Sequence, residues 1–139
     1  GLKNQRTLVT LMNVNNNSSL ILEQISREIR TGYNFEFVDS GICAVGVSEI
    51  SFTNIKNTKT TYRLTEGVVR RLENDKDLAL TASNVDATRL CFIEIKEELE
   101  NSPRRITILL GVKAKNQSVE TPEMNIQTTI SPRILPIDL

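Results

Sequence analysis

Apolar positions recur with two different periods along the chain, and the change comes at Gly32. From Lys3 to about Thr31 there is no Pro or Gly. Set at about 100° intervals, Leu8, Leu11, Met12, Val14, Ile21, Leu22, Ile25 and Ile29 share one broad face, and Leu2, Val9 and Leu20 gather opposite. The spacing predicts one amphipathic helix about 43 Å long. Gly32 stands where a C-cap glycine belongs, just behind Arg27 and Arg30. Asn15-Asn-Asn-Ser-Ser19 is poor helix-forming material, of the kind that breaks a helix and lets Ser18 or Ser19 cap a second one from Leu20. The apolar phase is unchanged across this patch, which favours continuity.

After Gly32 the period shortens to that of strands. Tyr33 to Val38 alternates, Ile42 to Val47 reads as a short apolar strand, and Glu49 to Asn54 alternates with Ile50 and Phe52 inward. A turn at Lys56-Asn57-Thr58 leads to strands Thr60–Leu64 and Val68–Leu72, joined through Glu66-Gly67. Glu73 to Asp77 reads as a charged loop. Val85 to Lys96 carries apolar residues on both faces, with the parity changing between Ala87 and Leu90. That change predicts a bulge near Thr88. Ile106 to Ala114 alternates as a half-buried strand, and Met124 to Ile130 forms a last one before Pro132. Loops are expected over residues 97–103 and 117–123, then a Pro-punctuated tail over 134–139. The expected fold class is α+β: residues 1–32 as a long N-terminal helix packed on antiparallel sheet, residues 33–139 as a globular antiparallel β region with two small sheets, in one domain.

Composition narrows what such a fold does. The 139 residues hold 17 Lys+Arg and 17 Asp+Glu, no His, no Trp, two Cys, four Phe and two Tyr. Zero net charge argues against a nucleic-acid partner, which calls for a basic excess. Without His there is no imidazole base, no Ser-His or Cys-His pair and no His metal ligand. Two Cys alone cannot complete a zinc site. There is no P-loop, no Gly-x-Gly-x-x-Gly, no Gly-x-Ser-x-Gly and no His-Glu-x-x-His. The expectation is a structural or binding module, not an enzyme, with no cofactor and no small-molecule substrate.

Individual clusters read as solvated surface. Glu94, Glu97, Glu98 and Glu100 surround Lys96 and lack the Gly turn of a calcium loop, and Asp75 and Asp77 are too few oxygens for one. Arg70-Arg71 and Arg104-Arg105 read as exposed charge, because neighbours on a strand face opposite ways. Asn-x-Ser triplets begin at Asn16, Asn17 and Asn116 and matter only in a glycosylating secretory route. Cys43 and Cys91 can be a disulfide or two small buried hydrophobes, and the sequence leaves both open.

The helix is the unusual feature. About 29 residues exceed what strands of about 17–20 Å can cover. Leu22, Ile25 and Ile29 are expected to hold the helix to its own sheet. Leu8, Leu11 and Met12, with Val9 and Leu20 on the other side, are expected to meet other subunits, since an exposed apolar stripe usually has a partner.

One long helix, a meander and then long antiparallel strands resemble the layout of type IV pilin-like proteins. Local runs in order add to this: the helix exit Ile25-Ser-Arg-Glu-Ile-Arg-Thr-Gly32, then Ile50-Ser-Phe-Thr-Asn54, Tyr62-Arg-Leu64 and Val68-Val-Arg-Arg71. Leu80-Thr-Ala-Ser-Asn-Val85 with Leu90-Cys-Phe92, Pro103-Arg-Arg-Ile-Thr-Ile108 and Gln127-Thr-Thr-Ile-Ser-Pro-Arg133 continue it. The nearest branches are the minor pilins of type IV pili and the J-class minor pseudopilins of type II secretion. The resemblance implies a filament subunit whose partners are other pilins or pseudopilins. It implies residence at the bacterial inner membrane, with the globular part periplasmic or extracellular. The family's cleavage motif, apolar half-helix membrane anchor and early Glu have no counterpart in this chain. The opening Gly1-Leu2-Lys3, without Met, reads as truncated, so those features are expected upstream. The competing class is a secreted or phage-type β-rich protein-binding domain that dimerises through its helix.

Overall fold

A computed structural model describes residues 2–39, 41, 43–95, 104–115 and 122–132. α1 spans Leu2–Thr31 without a break. Eight strands follow: β1 Tyr33–Val38, β2 Glu49–Thr53, β3 Lys59–Thr65, β4 Val68–Glu73, β5 Lys76–Ala79, β6 Val85–Ile95, β7 Arg105–Ala114 and β8 Met124–Ile130. The class is α+β. Strands β1 to β5 form one antiparallel meander in sequence order, and β6 to β8 a second.

α1 lies on β7 and β8, while the first sheet meets β6 through β2, β3 and β4. One core joins the three layers. Ile21, Ile25 and Ile29 come from the helix, Ile50, Phe52, Tyr62 and Val69 from the first sheet, and Leu90, Phe92, Ile108 and Leu110 from the second. Phe52 stacks on Tyr62 at 6.1 Å and sits 5.5 Å from the Phe35 ring. Aromatic rings at these separations add packing energy beyond the area they bury.

Helix continuity follows from what the polar patch does. Ser18 is fully buried and satisfies its hydroxyl by donating to the Asn15 carbonyl at 3.0 Å. Gly32 ends the helix, but not as a left-handed cap. The left-handed residue is Asn34, at φ 57°. Gly32 is required for space: a Cβ there would lie 2.6 Å from the Phe52 ring.

The expected bulge is present between Ala87 and Arg89. Two residues, Thr88 and Arg89, oppose Gly111. Two expectations fail. Residues 43–47 are not a strand; among them only Val47 pairs, in a single bridge to Phe92. Gly46, at φ +83°, interrupts extended backbone. Glu73 to Asp77 is not a loop either. Asn74, at φ 55°, and Asp75 make a two-residue turn, so Lys76 and Asp77 already belong to β5.

Candidate functional site

The buried stripe of α1 is narrower than its apolar residues suggest. Val14, Ser18, Ile21, Ile25 and Ile29 are buried, and Leu22 packs against the core from the side. Leu11 is half-buried. Leu8, Val9, Met12 and Leu20 are 56–64 % exposed. The Leu2 side chain lies outside the described residues.

The outward face has a second property, one that apolar periodicity alone does not display. Thr7 to Leu22 contains no ionisable side chain. That is about 24 Å of helix. A helix facing water normally carries charge on its outer side. Here the outer side offers Asn, Ser and four large apolar residues.

The C-terminal half of α1 is fastened to the first sheet by a polar latch. The Glu28 carboxylate accepts from Arg71 Nε at 2.6 Å and from Nη2 at 2.8 Å, and also from the Tyr62 hydroxyl. Arg71 Nη2 donates in addition to Glu73. The Glu28 and Arg71 side chains are less than one-fifth exposed. Burial pushes the Glu28 carboxyl up, but the Arg71 and Tyr62 hydrogen bonds and the Arg71 and Lys56 charges hold it below its ordinary value. Burial and then the Glu28 carboxylate push the Tyr62 phenol up. The Glu28 bond leads in holding the Arg71 guanidinium charged. Arg71 is therefore not the exposed charge expected of the Arg70-Arg71 pair. Strand alternation turns Arg71 towards the helix and Arg70 outward, where it meets Asp77 at 3.3 Å.

Above the latch lies an open groove of about 770 Å³, between α1 and the β2–β3 turn. Leu20 and Ile55 stand exposed on its two walls. A second fastening sits at mid-helix. Asn17 Nδ2 donates to the Leu80 carbonyl at 3.5 Å, and Asn17 Oδ1 accepts from the Ala82 amide at 3.1 Å.

Cys43 and Cys91 are joined in a disulfide. Cys91 is 2 % exposed, so burial and bonding coincide there. Arg104 Nε lies 3.3 Å from Glu94 and its guanidinium stands over the Phe35 ring. Glu97, Glu98, Glu100, Asn116 and the tail over 134–139 lie outside the described residues. Among the described residues no three His, Cys, Asp or Glu side chains gather as a metal site, and no helix is long and apolar enough to cross a membrane.

Sequence reasoning placed Leu22, Ile25 and Ile29 on the helix but missed the latch. Its signal was available: Glu28 lies between Ile25 and Ile29, on the flank of the buried stripe, where a carboxylate calls for a partner. No family model matches the chain, and neither a curated protein nor a solved structure matches it.

Proposed function

We propose that this chain is a structural subunit of the minor pilin or pseudopilin kind, assembling into a type IV pilus or type II secretion pseudopilus through its helix. The observation that carries the reading is the outward face of α1 over residues 7–22, which has no ionisable side chain and exposes Leu8, Val9, Met12 and Leu20. Burying one such side chain fully contributes roughly 1.5–3 kcal/mol. A few repeated at each neighbour hold a filament without any reactive group. The same helix is fastened at Asn17 and Glu28, so a load on the face passes into the sheets. The disulfide suits a fold that matures outside the cytoplasm, as the globular part of such a subunit does.

The test places Glu at Leu8 and Met12 in the native subunit, in cells of its own source. Thermal unfolding of the isolated chain should barely change, while recovery of the subunit in sheared or extracted filaments is lost. Undiminished recovery overturns the reading. A stable dimer of the isolated chain, dissolved by the same substitutions, would instead identify the helix-dimerising binding domain.

A further inference from the structure

The outer edge of β6 is covered by something that is not a strand. Its inner edge pairs with β7 along the whole strand. On the outer edge the Phe92 amide donates to the Val47 carbonyl at 2.6 Å, and the Val47 amide donates to the Phe92 carbonyl at 2.9 Å. Further along, the Ala87 amide donates to the Gly67 carbonyl of the β3–β4 turn at 2.8 Å. Between these points the Cys43 sulfur lies 3.3 Å from the Leu90 carbonyl oxygen and is bonded to Cys91. Residues 43–47 therefore form a plug that makes one ladder position and then leaves.

The plug fits closely. A Cβ at Gly46 would come 2.4 Å from the Phe92 carbonyl oxygen. Only glycine lets the backbone lie this near and at φ +83°. Besides the disulfide, two hydrogen bonds and the contact of the Val47 side chain with the core hold the segment, and each hydrogen bond contributes only about 0.5–1.5 kcal/mol net. The covalent bond one turn of chain earlier keeps the plug at high local concentration on the edge. An uncovered edge strand, by contrast, is a template for another chain.

We propose that the Cys43–Cys91 disulfide is an edge guard. It holds residues 43–47 on β6, and its loss frees that edge to pair with β6 of a second copy. The occupant follows from the edge itself. Two opened copies present the same backbone to each other, and antiparallel pairing closes with two-fold symmetry. The guard thus keeps two copies of the chain from joining through this edge. This does not depend on the filament reading.

The test measures amide hydrogen exchange in the chain before and after treatment with dithiothreitol. The dithiol is oxidised to its cyclic disulfide, and its two electrons and two protons convert the Cys43–Cys91 bond into two thiols. Protection at Phe92 should fall about tenfold or more at low concentration, with Ile108 and Leu110 in β7 unchanged. Raising the concentration should restore Phe92 protection as a dimer appears in light scattering. Gly46→Val, which displaces the plug with the disulfide intact, should lower Phe92 protection in the same way. Unchanged Phe92 protection in both cases overturns the proposal. So does loss of β7 protection alongside it, which would make the bond a staple of the whole fold. An opened chain that stays monomeric overturns it as well.

Discussion

Glu28 and Arg71, 43 residues apart in sequence, meet through two parallel hydrogen bonds, with Nε on Oε1 and Nη2 on Oε2. This pairing ties the helix to β4 of the first sheet. Arg71→Ala leaves a half-buried carboxylate with Tyr62 as its remaining close donor, and should cost about 2–3 kcal/mol in urea unfolding. Arg71→Lys should recover less than half of that loss, because an ammonium cannot reproduce the two-pronged geometry. Full recovery by Lys would show that charge alone matters.

The latch also makes stability depend on pH at both ends. The folded Glu28 carboxyl titrates below its ordinary value of 4.5. As pH falls the unfolded chain takes up that proton first, so its contribution is intact above pH 4.5 and lost progressively below it. Tyr62 has the opposite sign. Its phenol is raised above 10.0, so the unfolded chain releases that proton first and the contribution is lost as pH rises past 10.0. Urea midpoints against pH should show both limbs. Glu28→Gln should flatten the acid one and Tyr62→Phe the alkaline one.

Two apolar residues of one helix should behave in opposite ways. Ile25 is fully buried and Leu20 is 64 % exposed. Ile25→Ala should cost about 2–5 kcal/mol through the cavity it leaves. Leu20→Ala should stay within about 0.5 kcal/mol. A large loss at Leu20 would mean that it is already packed in the isolated chain.

Asn17 holds the segment after β5 by its carboxamide. Asn17→Ala should cost about 1–2 kcal/mol. Limited proteolysis should then cut near residues 80–83 faster than in the parent chain. Asn17→Asp should keep the acceptor but lose the donor, and fall between the two.

Much of the fold was legible because it rests on period. The helix, the meander, the three long strands and the bulge all follow from which positions are apolar. What escaped depends on single residues acting against their local pattern. Ile42 to Val47 looks like a strand by hydropathy, yet Gly46 bends it and Cys43 pins it. The apolar run serves a sulfur bond and an edge instead of a ladder. Lys76 and Asp77 look like loop by charge, yet a two-residue turn at Asn74 puts them in a strand that stands outside the core. Glu28, Tyr62 and Arg71 lie on three elements, and nothing in the spacing of any one of them announces the other two. Asn17 was visible as a weak helix former and as the start of an Asn-x-Ser triplet, but not as a fastening, because its partners are backbone atoms 63 and 65 residues away.

The bulge at Thr88 has a consequence for heredity. Val85 and Ala87 point inward before it, and Leu90 and Phe92 after it, which is possible only because one surplus residue resets the alternation. Deleting residue 88 would shorten β6 to a regular strand, with Ala87 still against Val112, Arg89 still against Gly111, and Val85, Ala87, Leu90 and Phe92 all still inward. At this point in the gene, unlike elsewhere in β6, one codon can be lost without reversing the faces of the strand. Exchanges at position 88 should pass, and its single in-frame loss should straighten β6 without unfolding the chain.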